Sequence, residues 1–328
     1  MLPEIPDPGR LISRLCRVPL FALIVAFSPA TAGVAATPGV AATPGVAAAA
    51  EAPVFDGQEA WELVRIQCSF GPRNPGSPTH RKCLDWMGAQ LAATGAVIRR
   101  QPFSYTLPGT KAPLSMCNLL ASFRPESSRR ILLAAHWDTR PWADHDPDST
   151  RRDEPILGAN DGGSGVAVLL QLARHFRTNP PPLGVDLVFL DGEDLGTSAN
   201  PEGYFRGSRE YGRRFLGQKP PEHAVLLDMV GDADLLFYVE GNSFQAVPEQ
   251  VGWFWEGAKE VAPDYFTDQI GYYVEDDHLP LLAAGIPCMD LIDFNYSHWH
   301  THADTPDKVS PASLQIVGDV LVRLLYRP

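Results

Sequence analysis

VDLVFLDGEDLG, residues 185–196, carries an apolar run straight into three carboxylates within four positions. Val185 to Leu190 is shorter than an ordinary helix and suits a strand buried on both faces, the kind that parallel sheets use. The adjacent carboxylates Glu193 and Asp194 repel each other, so their pairing costs free energy unless a cation or a shared proton offsets it. Neighbouring side chains of an extended chain point to opposite sides, so one of the pair can meet a metal while the other faces a substrate. The pattern recurs along the chain. His136 closes ILLAAHWDT (131–139), Asp161 lies in GANDGGSG (158–165), Asp228 ends AVLLDMVG (224–231), and His300 lies in YSHWHTHADT (296–305). Open α/β sheets gather ligands outside the carboxyl ends of their strands. Five such positions in one chain point to a metallohydrolase-type centre.

The rest of the chain fits around that core. Further strands are expected at 97–105, 116–123, 131–135, 224–227 and 286–292, and helices at 58–66, 81–91 and 165–176. In the last of these helices Val166, Leu169, Leu170, Ala173 and Phe176 recur at helical spacing. A final helix starts at Ser310-Pro311, a cap and first-turn pair, with Leu314, Val317, Leu321 and Leu324 on one face. This alternation predicts an α/β fold, a single domain with a mostly parallel central sheet and helices on both faces. With 328 residues, 45% of them hydrophobic, the chain is long enough to bury such a core.

Ahead of the domain, Arg10, Arg14 and Arg17 precede the apolar run from Val18 to Phe27, and Ala30-Thr31-Ala32 offers a small-residue cleavage site. Residues 1–32 therefore read as a secretory signal peptide, residues 33–52 as an Ala/Pro/Gly-rich tether, and residues 53–328 as the catalytic domain. The product is expected to be secreted or periplasmic, without a membrane span once the leader is cleaved. A net charge of -12 leaves no basic stripe for nucleic acid. Lack of heptads or a long exposed apolar stretch makes a monomer the expectation. Cys68, Cys83, Cys117 and Cys288 remain after cleavage, and a disulfide among the first three competes evenly with buried free thiols. None of the four has paired zinc-site spacing, so a metal must be held by oxygen and nitrogen.

Each candidate also has a plainer explanation. Asp161 on its own reads as a helix N-cap, and Asp276-Asp277-His278 reads as charge complementing a helix N-terminus. Of His298, His300 and His302, at most one is expected on a metal. His80, His145, His175 and His223 read as surface residues. The chain has no G-x-S-x-G elbow, H-E-x-x-H pair, Walker loop or dinucleotide fingerprint.

HWD, GANDGGSG, FLDGED and WHTHADT together resemble the zinc exopeptidase superfamily of co-catalytic aminopeptidases. Within that superfamily, EDDHLPLLAAGIP (275–287) and the Trp299-His300 dipeptide resemble the glutaminyl cyclases, and the likeness runs from about Phe70 to the C-terminus. The resemblance implies that Asp161, Asp194 and His300 ligate one zinc ion and that Glu193 is the general acid/base. It casts Asp276 and Asp228 as carboxylates that support the reacting amide and Trp299 as a pocket wall. It further implies peptide or protein substrates with N-terminal glutamine, closed to pyroglutamate with release of ammonia. Two positions depart from the animal cyclases and look like the bacterial secreted ones: Asp194 replaces a glutamate, and Asp290 replaces a histidine.

Two other readings stay open. A two-zinc aminopeptidase of the same superfamily uses a base at the Glu193 position and holds its second metal where His136 and Asp228 stand. A non-catalytic binding module on this fold is the third, and the retention of Glu193 with all three ligand positions speaks against it.

Overall fold

Residues two apart on the central strands face the same side of the sheet, and consecutive ones enter different cores. In β3 (Arg130–His136), Ile131, Leu133 and Ala135 join the larger core, while Leu132 and Ala134 join the smaller one. The same division holds in β4 (Gly184–Leu190), β5 (His223–Asp228) and β8 (Cys288–Ile292). The computed structural model describes residues 52–326, so the expected leader and tether lie outside the described residues except for residue 52.

The six-stranded sheet has the order β1-β2-β4-β3-β5-β8, with β1 at Val97–Tyr105 and β2 at Leu114–Phe123. β4, β3, β5 and β8 run parallel, whereas β1 and β2 pair antiparallel along one side. The larger core is covered by α1 (Gly57–Ser69), α2 (Pro78–Ala92), α3 (Ser164–Thr178), α6 (Pro248–Val261) and α8 (Pro311–Leu325). The smaller core is covered by α4 (Arg206–Phe215) and α7 (His278–Ala283). The fold is thus α/β with a mostly parallel sheet and helices on both faces, as the alternation of patterns predicts.

Local chemistry sets these elements. Ser310 caps α8 by accepting from the amides of Ala312 and Ser313, a contact that contributes about 1 kcal/mol. Leu314, Val317, Leu321 and Leu324 of α8 are all buried, as their spacing requires, and truncating any of the leucines to Ala would cost about 2–5 kcal/mol. α3 lies so close to the sheet that a Cβ on Gly165 would collide with the Leu227 carbonyl. β8 begins at Cys288 rather than at 286, because Pro287 has no N–H to give the ladder.

Five elements have no counterpart in the sequence reading: α4, α6, the short helix α5 (Gly241–Ala246), and a second, two-stranded parallel sheet of β6 (Phe237–Glu240) and β7 (Phe266–Tyr272). α4 buries only Gly207, Ser208, Tyr211 and Gly212, so it has no apolar stripe to read. α6 does show one, in Val251, Phe254, Trp255 and Ala258. The four cysteines of the domain are free and buried, which settles the disulfide alternative. Burial pushes the Cys68 thiol up to about 11 and the Cys83 thiol to about 12. His80 is a correction: it is 1% exposed, not a surface residue, and its ring stacks on Trp137 while Nε2 lies 2.8 Å from Asp191.

Candidate active site

All the singled-out residues come together at the carboxyl ends of β3, β4, β5 and β8. His136 is the last residue of β3 and Asp228 the last of β5, while Glu193 and Asp194 follow β4 by three and four positions. Asp161 precedes α3, Asp276 precedes α7, and Trp299 and His300 lie in the segment after β8. A cavity of about 310 Å³ is lined by Asp161, Glu193, Asp194, Asp228, Asp276, Trp299 and His300. Its remaining wall is largely aromatic: Tyr204, Phe205, Tyr272, Tyr273 and Phe294. Trp299 stacks on the His300 ring at 3.9 Å and takes the edge of Phe294 at 5.0 Å.

His300 Nε2 lies 3.6 Å from Oδ2 of Asp161 and 3.4 Å from Oδ2 of Asp194. Both of those buried oxygens have no hydrogen-bond partner. Leaving a buried carboxylate oxygen unpaired is expensive, and two of them facing one imidazole nitrogen fit a divalent cation with oxygen and nitrogen ligands. Asp161 also faces a second group, since its Oδ1 is 3.2 Å from His136 Nε2, which is itself 3.2 Å from Asp228 Oδ1. Donor atoms within each set, Asp161–Asp194–His300 and His136–Asp161–Asp228, all fall within 4.8 Å of one another. Asp161 is common to both. His136, however, is 2% exposed and does not reach the cavity wall.

The protein's own charges pull the titrations apart. Desolvation and then the neighbouring Asp194 carboxylate hold Glu193 well above the usual range. Burial acts against ionisation of Asp194, but His300 and Arg140 outweigh it and hold that carboxyl low. Burial also opposes charge on His300, yet Asp194 and Asp144 carry it up to about 9. Neighbouring carboxylates with opposite tendencies are the pattern of a proton-transfer group beside a permanently charged one.

Backbone geometry at the site is strained. Among the described residues four non-glycine residues have positive φ, and three of them, Phe205, Met229 and His300, are in or beside this cavity. Gly162 meets the same demand without cost, having φ of +77° and no room for a Cβ against the Asp138 carbonyl.

Several supporting residues escaped the sequence reading. Asp138, in the HWD segment, accepts from the amides of Glu193 at 3.1 Å and Asp194 at 3.4 Å. Asp304, in HTHADT, accepts from the amides of Asn160 and Asp161 and from the Tyr296 hydroxyl. Arg73, in FGPRNPGSPTH, donates to the carbonyls of Trp137, Leu157 and Gly158, tying the β3 end to the Asp161 loop. Arg140 donates from Nη1 to Oδ1 of Asp194 at 2.6 Å. All four are buried charged side chains in polar loops, where sequence offers no periodicity to single them out.

Residues 118–325 match the model of Peptidase family M28. The chain belongs to this family. Its structure resembles that of Bacteroides thetaiotaomicron glutaminyl cyclase bound to N-acetylhistamine, at a TM-score of 0.81 and 36% identity, covering 85% of this chain and 100% of that one. A leucine aminopeptidase precursor from Bacteroides thetaiotaomicron matches equally well, at 0.81 and 36%, with 85% and 99% covered. A glutaminyl-peptide cyclotransferase-like protein of Bos taurus is 26% identical over 292 residues, spanning 77% of this chain and 71% of the relative.

Proposed function

We propose that this M28 protein is a zinc-assisted glutaminyl-peptide cyclotransferase, which converts the N-terminal glutamine of peptides to pyroglutamate and releases ammonia. The observation that carries the reading is a cavity lined together by Asp161, Asp194, His300, Glu193, Asp228, Asp276 and Trp299. Similarity to a bacterial glutaminyl cyclase over that protein's whole length supports it.

Asp161, Asp194 and His300 would hold the zinc ion, which when bound supplies Lewis-acid polarisation of the side-chain amide carbonyl. The substrate's own α-amine is the nucleophile. Its nitrogen bonds to the amide carbon, and the carbon–nitrogen bond to the departing ammonia breaks. Glu193 takes a proton from the attacking amine and returns it to the leaving nitrogen. Asp228 and Asp276 border the reacting amide as hydrogen-bonding partners. Trp299, with Phe294 and Tyr272 behind it, holds the glutamine folded back on itself and excludes water, which favours intramolecular closure over hydrolysis.

The second reading, a two-zinc aminopeptidase, is favoured by the convergence of His136, Asp161 and Asp228. Ammonia release from a Gln-initiated peptide, run beside amino acid release from Leu- and Ala-initiated peptides, decides between them. The cyclase gives ammonia and an N-terminally blocked product. Free leucine without ammonia rejects it.

Among the described residues no helix is long and apolar enough to cross a membrane. We propose that residues 1–32 direct export and are removed, that residues 33–52 tether the domain, and that the mature enzyme acts outside the cytoplasm as a monomer.

A further inference from the structure

Arg140 lies four residues beyond the end of β3 and is 2% exposed, a poor place for a guanidinium unless its charge is used. Its two edges have different partners. Nη1 donates to Oδ1 of Asp194 at 2.6 Å, while Nε and Nη2 grip the carboxylate of Asp144 at 2.8 and 2.7 Å. Asp144 in turn places Oδ1 3.5 Å from Nδ1 of His300. The chain of contacts therefore runs from Asp194 through Arg140 and Asp144 to His300. On the inner side, Oδ2 of Asp194 and Nε2 of His300 face each other across 3.4 Å.

We propose that Arg140 and Asp144 form a clamp that aims Asp194 and His300 at the bound zinc ion and fits the centre to an aspartate at position 194. The proposal rests on the metal-centre reading above. By occupying Oδ1 of Asp194, Arg140 fixes the carboxylate plane and leaves Oδ2 as the free donor. By facing Nδ1 of His300, Asp144 favours the tautomer with hydrogen on Nδ1, which keeps the Nε2 lone pair on the inner side. By standing between two carboxylates, the arginine cancels part of the negative charge that Asp161, Asp194 and Asp144 bring together.

Length matching follows. Aspartate is one methylene shorter than glutamate, and a guanidinium already bonded at 2.6 Å leaves little room for a longer side chain. The rings of Trp142 and Tyr204 lie 5.6 and 5.8 Å from the Arg140 guanidinium and restrict its retreat. Arg140 and Asp144 act through the ligands, so they are positioning residues.

The test is zinc affinity by chelator competition on the full chain, with the absorption spectrum of the cobalt(II)-loaded protein and thermal melting of the metal-free form. Arg140→Gln should raise the zinc dissociation constant about 10- to 100-fold and alter the cobalt ligand-field bands. Asp144→Asn, at a half-exposed position that does not threaten folding, should weaken zinc in the same direction by less. Asp194→Glu should weaken zinc strongly when Arg140 is present and much less in the Arg140→Gln background. Wild-type zinc affinity and cobalt spectra in both Arg140→Gln and Asp144→Asn, with only a lowered melting temperature, would overturn the clamp. A wild-type chain that takes up no zinc would instead sink the metal-centre reading itself.

Discussion

The amide of Phe205 donates to the carbonyl of Glu193 at 2.9 Å while the Phe205 backbone is left-handed, at φ 59° and ψ 36°. Arg206 repeats the contact to the Gly192 carbonyl at 2.9 Å, and Asp194 and Tyr204 form an antiparallel bridge. The acidic turn after β4 is thus stitched to the start of α4 through a residue that holds an unfavourable conformation for a bulky side chain. Such strain persists only where surrounding contacts enforce it, and it concentrates at functional sites.

That strain is measurable. Phe205→Gly and Phe205→Ala remove the same ring contacts but differ in tolerance for positive φ. The glycine variant should be the more stable by about 1 kcal/mol, against the usual ranking of Gly below Ala in helical segments. Both should lose activity, since Phe205 lines the cavity. Urea melts that rank alanine above glycine would remove the strain argument.

Glu193→Gln separates proton transfer from metal binding. The Glu193 side chain belongs to neither metal-ligand set, although its desolvated carboxyl shares the cavity with Asp194. The variant should keep wild-type zinc content and lose at least about 100-fold in turnover, the usual scale of general acid–base catalysis. Near-normal ammonia release from a fully zinc-loaded variant would exclude Glu193 as the proton carrier.

Thiol chemistry checks the cysteine assignment. Cys68, Cys83, Cys117 and Cys288 are buried, and burial raises all four thiols. A chain starting after the tether should react with a thiol reagent only slowly when folded and should show four thiols when denatured without reductant. Two thiols in that second measurement would restore the disulfide.

How much of this was legible follows from what each element contributes to the core. Strand β1 matches its expected limits residue for residue, β4 starts one residue early, and β3 and β5 extend one residue further at each end, because apolar runs between turn signals are strongly patterned. The five missed elements lie outside the six-stranded sheet, and three of them carry little apolar pattern: α4 is rich in Arg, α5 spans six residues, and β7 is mostly exposed. Candidate ligands were readable because carboxylates and histidines at strand ends are chemically conspicuous. Arg140, Asp138 and Asp304 were not, because each looks like any charged loop residue until the fold brings its partner from 54 to 144 positions away. Asp161 shows the overlap of explanations: it sits just before α3, yet its free oxygen faces His300 rather than capping the helix.

Asp290 and Glu240 give the sharpest contrast in pH behaviour. Both are 1% exposed and both flank His278, whose Nδ1 is 3.7 Å from Asp290 and whose Nε2 is 3.4 Å from Glu240. Neither oxygen of Asp290 has a hydrogen-bond partner. Burial, followed by the carboxylates of Asp276 and Asp228, holds Asp290 well above the usual range. For Glu240 burial also works upward, but His278 and the amides of Asn242 and Ser243 bring it down to about 2. Folding therefore takes up a proton at Asp290, and that site destabilises the fold increasingly as pH rises above about 4. Glu240 behaves oppositely: its contribution is present above about 4.3 and is lost as pH falls toward 2. Relative to wild type, metal-free Asp290→Asn should gain stability as pH rises above about 4. Glu240→Gln should cost about 1–3 kcal/mol at pH 7, a penalty that shrinks below pH 4. Groups that interact with neither carboxyl titrate alike in all three chains and cancel in these differences. Urea melts at a series of pH values test both slopes, and an Asp290→Asn curve parallel to wild type would mean that this carboxyl ionises normally in the folded protein.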